Sequence, residues 1–332
     1  MGKPGSKELR ELLSCIKKNP RVIVPPIPGF DSGVHELSHD MCLVVTTDPC
    51  LGAPREWFGW FLINYAASDI AVFGAKPEYA AINLLGPRKM GLNIFKSIMR
   101  QACHAADELD MSIITGHTGT YDELSSVIGT CTAYSVIEKS KLITPGGAKP
   151  NDRIFCIKPL GQETLTNFAL THKRLAAKLF GTETVSLLAK QVKMQTCVRE
   201  ALLLAQTGGV TAMHDATEGG FVAALNEMAE ASKLGFTVDY AKLPIAKELE
   251  ILARRFKLSR KQVMSISSTG TIVAAVSPKA EGAVSEALRR RGTVATCVGA
   301  FKESADRTLT HNNKKENFPL RADDPYGKMI NA

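Results

Sequence analysis

The stretch EWFGWFLINYAASDIAVFGA, residues 56–75, constrains the fold more than any other part of the sequence. Its apolar residues have helical spacing, which predicts a largely apolar helix that stops at Gly74. A membrane-spanning helix needs about 18 or more consecutive apolar residues, and Asn64, Ser68 and Asp69 interrupt this stretch. No apolar signal-peptide region follows the first residue either. We therefore expect a cytoplasmic protein with no membrane partner.

Asp69 is the residue of this helix that packing explains least. An unpaired buried carboxylate is costly, and a metal ion would satisfy it. Asp31 in GFDSG and Asp48 after the strand LVVTT are two further acids, and each is also a common turn residue. Mg²⁺ binds one or two carboxylates directly and keeps waters and phosphate oxygens as its other ligands. Several acids near a phosphate site would therefore fit two or more Mg²⁺ ions bound to ATP.

The motif MHDATEGGF, residues 213–221, precedes an amphipathic helical pattern that Gly235 would end. A helix N-terminus has unpaired N–H groups and a partial positive charge, and Gly219 and Gly220 leave space there for an anion. One interpretation is a phosphate site beside a metal-binding Asp215. The alternative is an ordinary N-cap supplied by Asp215 or Thr217. This segment alone leaves both interpretations open.

The rest of the chain predicts two domains in which strands alternate with helices, which indicates an α/β or α+β fold. With 332 residues, 45% hydrophobic and 22% charged, the composition is typical of a soluble two-domain protein. The turn-rich segment 144–152 is the expected boundary, between domains at 1–150 and 151–332. The predicted helices lie at 7–19, 56–75, 93–110, within 162–181, at 183–207, 221–234, 246–257 and 279–291, and the predicted strands at 41–49, 78–86, 111–119, 125–137, 153–157, 270–277 and 295–301.

Cysteine spacing and charge exclude several classes of protein. The eight cysteines form no C-x-x-C pair, so we expect reduced core thiols and neither a zinc site nor a disulfide framework. The net charge of +8 comes partly from basic runs at 253–261, 289–291 and 312–317. Such runs are usually solvated surfaces, and no aromatic residues alternate with them. Nucleic-acid binding is therefore not expected.

Several motifs, ordered along the chain from about 22 to about 305, carry a resemblance to a known superfamily. GFDSGV is similar to a Gly-Asp-Asp-Ala loop, VVTTDP to a strand that ends in a metal-binding Asp, and SDIAVFGAKP to a long Ser/Asn-Asp-x-Ala-x-x-Gly-Ala-x-Pro signature. KPNDRIFCIKPLGQE and HDATEGGFVAALNEMAEAS are similar to second-domain motifs. These motifs resemble the superfamily of aminoimidazole ribonucleotide synthetase, thiamine-monophosphate kinase, selenophosphate synthetase and the hydrogenase-maturation carbamoyl dehydratase, with the dehydratase the most similar branch.

The resemblance implies an architecture and a chemistry. An N-terminal α+β domain would bind ATP and Mg²⁺, and its sheet would join that of a second copy in a barrel across a homodimer, with a C-terminal α/β domain following. The implied reaction activates a carbonyl or hydroxyl oxygen of a small-molecule substrate by phosphoryl transfer, as in a kinase, synthetase or dehydratase, and Asp69 and Asp215 would meet the same Mg²⁺–ATP. The implied metal ligands are Asp31, Asp48, Asp69 and Asp215, the implied nucleotide contacts are Asp31, Thr118, Lys158, Gly161, Thr217, Gly219 and Gly220, and the implied catalytic residues are Asp69, Asp215 and His117.

Departures from the family pattern leave the substrate open. His117, in TGHTG, replaces the Asp of the family's Gly-Gly-Asp-Thr, and imidazole is a poor Mg²⁺ ligand, so His117 is expected either to weaken one metal site or to act on substrate. The dehydratase carries its substrate on a C-terminal Cys, whereas the last cysteine here is Cys297. These differences keep an alternative open, in which the protein is a non-catalytic nucleotide-binding accessory factor that acts on a protein partner.

Overall fold

A computed structural model describes residues 6–330, which form two compact units. The first unit is Ser6–Leu142, and the second begins at Ile143 and continues to the end of the described residues. Each unit has its own sheet and its own core, and each is described separately below.

The first unit is a six-stranded sheet with two long helices. Its elements are α1 (Ser6–Leu13), β1 (Val22–Val24), β2 (Gly33–Glu36), β3 (Met41–Cys50), α2 (Phe58–Ala71), β4 (Tyr79–Pro87), α3 (Leu92–Glu108), β5 (Ser112–Tyr121) and β6 (Ile128–Glu138). The strand order is β1-β2-β3-β6-β4-β5. Only β4 and β5 run parallel among the paired strands described in this sheet.

Helix α2 is the apolar helix predicted from the sequence, and it buries 13 of its 14 residues. It packs against α3 and against the face of β3 and β6 that carries alternating buried side chains. The close approach of α2 and α3 requires Gly59, because a Cβ there would lie 2.1 Å from the carbonyl oxygen of Ile98. Asp69 is thereby fixed near the last turn of a helix surrounded by protein.

The second unit is a seven-stranded mixed sheet with helices. Its elements are β7 (Arg153–Ile157), α4 (Gln162–Thr171), α5 (Lys173–Phe180), α6 (Thr182–Lys190), α7 (Val198–Thr207), β8 (Val210–Asp215), α8 (Gly220–Ser232), β9 (Gly235–Asp239), α9 (Lys247–Phe256), α10 (Arg260–Ser265), β10 (Ile272–Val276), α11 (Glu281–Arg290), β11 (Ala295–Lys302), β12 (Arg307–His311), β13 (Lys314–Asn317) and α12 (Tyr326–Ile330). The strand order is β13-β12-β9-β11-β7-β10-β8.

Strand β10 lies between β7 and β8 and is antiparallel to both. Strands β7 and β8 therefore point in the same direction, and their carboxyl ends lie at one edge of the sheet. The register confirms this, because Ile272 pairs with Ile157 on one side and with Asp215 on the other. This edge carries the two strand-to-helix loops that the sequence motifs marked.

Aromatic side chains hold α8 against the sheet of the second unit. The ring of Phe221, on α8, lies edge-on to that of Phe318. The ring centroid of Phe318 lies 4.8 Å from that of Phe236, on β9, in a second edge-to-face contact. All three rings are fully or almost fully buried. Edge-to-face pairs add about 0.5–1.5 kcal/mol beyond the area that they bury. They fix the helix that follows the HDATEGG motif.

The two-domain α/β architecture with mixed sheets agrees with the expectation, and most predicted elements are present. The differences are local. His172 separates α4 from α5, a 3₁₀ turn at Gln191–Met194 interrupts the helix predicted at 183–207, and α1 ends at Leu13. Strands β1, β8, β9, β12 and β13 and helices α10 and α12 were not predicted, because they are short and mostly lie beside loops or motifs.

None of the helices between residues 6 and 330 is long and apolar enough to span a membrane. All eight cysteines are free thiols, as their spacing indicates, and five of them are buried.

Candidate functional site

In the first unit, Asp69 is held by residues of two other segments. The hydroxyl of Thr46, on β3, donates to Asp69 Oδ2 at 2.8 Å and lies equally close to the backbone carbonyl oxygen of Asp31. Ser32 Oγ donates to the backbone carbonyl of Asp69 at 3.1 Å. The loop at 31–32, strand β3 and helix α2 therefore meet around Asp69, a residue that is only 9% exposed.

Asp48 belongs to the same region. It follows Thr46 by two residues on β3 and so lies on the same face of the sheet, opposite Cys131 of β6. Burial, with smaller contributions from the charges of Asp48 and Asp69, raises the pKa of the Cys131 thiol to about 12. The carboxylates of Asp48 and Asp69 therefore both lie close enough to the Cys131 thiol to raise its pKa.

The donor set of this acid cluster fits a hard cation. Asp31, Asp48 and Asp69 offer carboxylate oxygens, and Mg²⁺ prefers oxygen ligands. The hydroxyls of Thr46 and Ser32 are neutral donors, so they orient the Asp69 segment without offsetting its negative charge. Residues of this kind can hold Mg²⁺ together with the phosphate oxygens of a nucleotide.

His117 and Thr118 lie elsewhere in the first unit. Both are exposed on β5, the last strand of the sheet, and His117 Nε2 lies 3.0 Å from the hydroxyl of Tyr121. The register places His117 beside Asn83 of β4, three strands from Asp48. At about 4.8 Å per strand that is roughly 14 Å. The first unit by itself therefore does not bring His117 to its acid cluster.

In the second unit, Asp215 is the last residue of β8 and is 3% exposed. The N-cap of α8 is Gly219, four residues later, and no side chain caps this helix. The alternative in which Asp215 or Thr217 is the helix N-cap is therefore wrong. Asp215 is fixed by strand pairing instead, and Ala216 to Gly219 connect it to the helix.

Backbone conformation and packing each require glycine at positions 219 and 220 of the motif. Gly219 and Gly220 both have positive φ, 80° and 55°, which disfavours other residues. A Cβ on Gly220 would lie 2.3 Å from the carbonyl oxygen of Ile266, and one on Gly219 would lie 2.8 Å from the Cβ of Ala322. The sequence did not reveal these contacts, and the binding of phosphate by the glycines stays a prediction.

His214 is a neighbour of Asp215 that the sequence interpretation did not use. It is buried, with Nε2 3.0 Å from Glu227 Oε2 on α8 and Nδ1 2.9 Å from the backbone carbonyl oxygen of Asp215. The ring therefore joins the end of β8 to helix α8. The sequence on either side of His214, with Met213 before it and Asp215 after it, does not indicate this role.

The second loop at this edge joins β7 to α4. Lys158 is buried with a φ of 68°, and its ammonium group lies 3.0 Å from Glu200 Oε2 and donates to the carbonyl oxygen of Thr196 at 2.7 Å. Gly161 is the N-cap of α4, also with positive φ, and its N–H donates to Ser268 Oγ. The charge of Lys158 is thus committed to protein acceptors, and its contact with a nucleotide stays a prediction.

The segment before β10 links these two loops. Glu163 Oε2 accepts hydrogen bonds from the hydroxyls of Ser267 and Thr269, and Ser267 Oγ also lies 3.2 Å from the carbonyl oxygen of Thr217. The SSTG run at 267–270 is the sequence signal that would have indicated this linkage. The N-termini of α4 and α8 are therefore held at one sheet edge, each preceded by a left-handed glycine and free of a side-chain cap.

Comparisons with known proteins agree with the motifs. The family model "AIR synthase related protein, N-terminal domain" matches residues 29–135, and the corresponding C-terminal domain model matches residues 149–312. Selenide, water dikinase of Myxococcus xanthus is 29% identical over 258 residues, which cover 75% of this chain and 69% of that protein. Carbamoyl dehydratase HypE of Cupriavidus necator is 26% identical over 267 residues, 79% of this chain and 73% of that protein.

Solved structures show the same fold at low sequence identity. HypE in complex with ATP has a TM-score of 0.71 at 16% identity, covering 96% of both chains. ThiL complexed with AMPPCP and TMP has a TM-score of 0.72 at 16% identity, covering 93% of both chains. A HypE–HypF complex has a TM-score of 0.69 at 16% identity, covering 86% of this chain and 92% of that one.

Proposed function

We propose which metal this chain uses, which residues form its site and which reaction it performs, given that it belongs to the AIR synthase-related protein family and is an ATP-dependent enzyme. The protein binds ATP with Mg²⁺ and transfers a phosphoryl group to a carbonyl or hydroxyl oxygen of a small substrate. The 1–150 region binds the nucleotide and Mg²⁺ and forms the dimer, and the 151–332 region completes the enzyme.

The observation that carries the proposal is the setting of Asp69. Its carboxylate lies on an apolar, almost completely buried helix, yet it meets Thr46 and the loop at Asp31, with Asp48 further along the same strand face. Placing the half-buried Asp31 and Asp48 in the same region as the buried Asp69 opposes folding unless a cation offsets their negative charges. We assign Asp31, Asp48 and Asp69 as the Mg²⁺ ligands of this unit.

The second unit contributes a further acid and two helix N-termini. Asp215 ends a strand beside the loop that leads into α8, and α4 begins at the same sheet edge. Uncapped helix N-termini present N–H groups and a partial positive charge that favour phosphate. We assign Asp215 to metal binding, and the turns at Thr217–Gly220 and at Gly161 to nucleotide contacts.

In the proposed reaction, the substrate oxygen attacks the γ-phosphorus of ATP. The new O–P bond forms as the bond to the β–γ bridging oxygen breaks, and ADP leaves. A hydroxyl substrate loses its proton to a base, whereas a carbonyl oxygen becomes a phosphate ester whose later loss as phosphate removes that oxygen from the substrate. Bound Mg²⁺ would supply charge neutralisation for the phosphate groups.

A homodimer is the proposed assembly. The sheet of the first unit has α2 and α3 on one face, and its other face carries partly exposed apolar side chains, with Tyr79 39% and Val136 41% exposed. Tyr79 stacks on Tyr134 on this face. An apolar sheet face of this kind favours burial against a second copy, in accord with the expected barrel across a dimer. His117, on the edge strand β5, would then lie near the partner.

The competing function is that of a nucleotide-binding accessory factor for a protein partner. The relative HypE is seen in complex with HypF, and this observation keeps a protein partner among our proposals. The His117 position favours it too, because an acid expected there is absent. The retention of all four Asp positions favours the enzyme.

ATP turnover separates the two functions. We expect Mg²⁺-dependent release of ADP that rises at least tenfold when the correct hydroxyl or carbonyl substrate is present. Asp48→Asn should abolish the stimulated rate, while Asp122→Asn, an exposed acid of the same unit paired with Arg88, should leave it unchanged. Tight ATP binding with no turnover on any of a panel of alcohols, amides and carbamoyl compounds would favour the accessory factor.

A further inference from the structure

Positive charge is concentrated in the second unit. Of the 41 Lys and Arg residues of the chain, 27 follow Leu142, whereas only 18 of the 33 Asp and Glu residues do. The first unit, Ser6–Leu142, has 13 basic and 15 acidic residues, so it does not contribute to the positive excess. Net charge of one sign on a folded unit attracts partners of the opposite sign.

Part of this charge surrounds a groove between α10 and the strands β12 and β13. The groove encloses about 470 Å³, and its lining residues are Ser259, Arg260, Lys261, Met264, Leu309, Glu316, Asn317 and Pro319. Met264 and Leu309 are almost fully buried beneath it, and the exposed Leu320 follows Pro319 at its rim. The groove has an apolar base and a polar rim that contains two basic residues, Arg260 and Lys261, and one acidic residue, Glu316.

The charges on the rim do not cancel. Arg260 pairs with Glu316 at 3.2 Å, which offsets one charge of each sign. Lys261 follows Arg260 on α10, and the pairing of β13 with β12 places Lys314 on the same strand face as Glu316. Lys261 therefore leaves the lining of the groove with a net positive charge, and Lys314, two residues from Glu316 on β13, adds a second positive charge beside it.

Strand β13 borders the groove and is the last strand of the sheet. Among the strands described, it pairs only with β12, and all four of its residues, Lys314–Asn317, are exposed. An edge strand offers a row of N–H and C=O groups to an extended peptide. Lysine on such an edge discourages pairing between copies of the same strand through like-charge repulsion, but it attracts a strand that carries carboxylates.

We propose that this groove binds an extended acidic segment of a partner protein, which adds to the sheet beside β13 with its carboxylates facing Lys261 and Lys314. A nucleic acid fits the groove less well, because its lining, all within the described residues, contains no aromatic ring on which a base could stack. The lining of the groove shares no residue with the proposed nucleotide site, and this binding does not depend on the proposed reaction.

The test uses the full chain and a fluorescein-labelled octapeptide of alternating Glu and Thr, with binding followed by fluorescence anisotropy at low salt. The double variant Lys261→Glu with Lys314→Glu should weaken binding at least tenfold. The control, Lys242→Glu with Lys279→Glu, makes the same change in net charge at exposed residues outside the groove and should alter binding less than twofold. Equal losses in the two variants would overturn the proposal.

Two further measurements identify the mode and the class of partner. A peptide with N-methylated backbone amides at every second residue should bind at least fivefold more weakly, and the unmodified peptide should slow hydrogen exchange at residues 314–317. The absence of both effects would refute strand addition. Tighter binding of an oligothymidylate with the same number of charges would overturn the proposal in favour of nucleic acid.

Discussion

Thr46 holds the proposed metal-binding acids in place, and its replacement by valine tests that role. The hydroxyl carries one hydrogen, and its oxygen Oγ1 lies 2.8 Å from both Asp69 Oδ2 and the carbonyl oxygen of Asp31. Thr46 is 4% exposed and Asp69 is 9% exposed, so water can replace the lost donor only poorly. Valine keeps the shape and the branching at Cβ and removes only the hydrogen bond.

The expected loss follows from the charge of the acceptor. A hydrogen bond to a charged group contributes about 1.5–3 kcal/mol, so Thr46→Val should lower the free energy of unfolding without ligand by about 2 kcal/mol. Thr46→Ser keeps the hydroxyl and loses one methyl group, which is worth about 0.8 kcal/mol. Thr47→Val, at the exposed neighbour on the same strand, should change stability by less than about 0.5 kcal/mol.

Urea denaturation followed by circular dichroism measures these differences, and titration with Mg²⁺–ATP measures the consequence for binding. Thr46→Val should also bind Mg²⁺–ATP more weakly than Thr46→Ser, because the Asp69 carboxylate loses its orientation. If Thr46→Val is as stable as Thr46→Ser and binds nucleotide equally well, the reasoning that assigns Thr46 this role is refuted.

Three further predictions follow from the structure. Light scattering in reducing buffer should give about twice the chain mass of 35.9 kDa, and a monomer at micromolar concentration would contradict the proposed dimer. Deletion of residues 326–332 removes the fully buried Met329 and should lower the free energy of unfolding by about 2–5 kcal/mol. The affinity for Mg²⁺–ATP should stay within twofold of wild type. A large loss of affinity in the folded deletion variant would contradict this second expectation. The pKa of Cys131 is raised from 9.0 to about 12, so the folded state keeps its proton while the unfolded thiol ionises, and stability is lost as pH rises between those values. Urea denaturation at several pH values should show that the free energy of unfolding falls more steeply with pH in wild type than in Cys131→Ala, by up to about 1.4 kcal/mol per pH unit. Equal slopes in the two proteins would contradict this prediction.

The sequence predicted those elements whose pattern is long and regular. Helix α2 and strand β3 were found close to their observed bounds, because an apolar run of helical spacing and a short continuous apolar run that ends in a turn each carry several consistent positions. Strand β8 was missed because its six residues end in His214 and Asp215, which resemble the start of a helix more than the end of a strand. Strand β8 forms because it pairs with β10. The local sequence pattern of β8 carries no information about that pairing.

The acids were easier to predict than the residues that hold them. Asp69 was conspicuous because it interrupts an apolar helix, whereas Thr46 looks like an ordinary strand residue until its contact with Asp69 is known. The interpretation of Gly219 and Gly220 had the same limit. Their positive φ and their contacts with Ala322 and Ile266 arise from segments distant in sequence. Such long-range contacts are determined by the fold, so no single motif reveals them.

Isothermal titration with Mg²⁺–ATP on Asp69→Asn and Asp215→Asn tests the central claim most directly. Asparagine nearly preserves the volume of aspartate and removes its charge, so each variant should bind at least tenfold more weakly, a loss of about 1.4 kcal/mol or more. The controls are Asp107→Asn and Asp306→Asn, which change exposed acids, one in each unit, and should bind like wild type. If Asp69→Asn and Asp215→Asn also bind like wild type, these carboxylates do not hold the metal and the account is wrong.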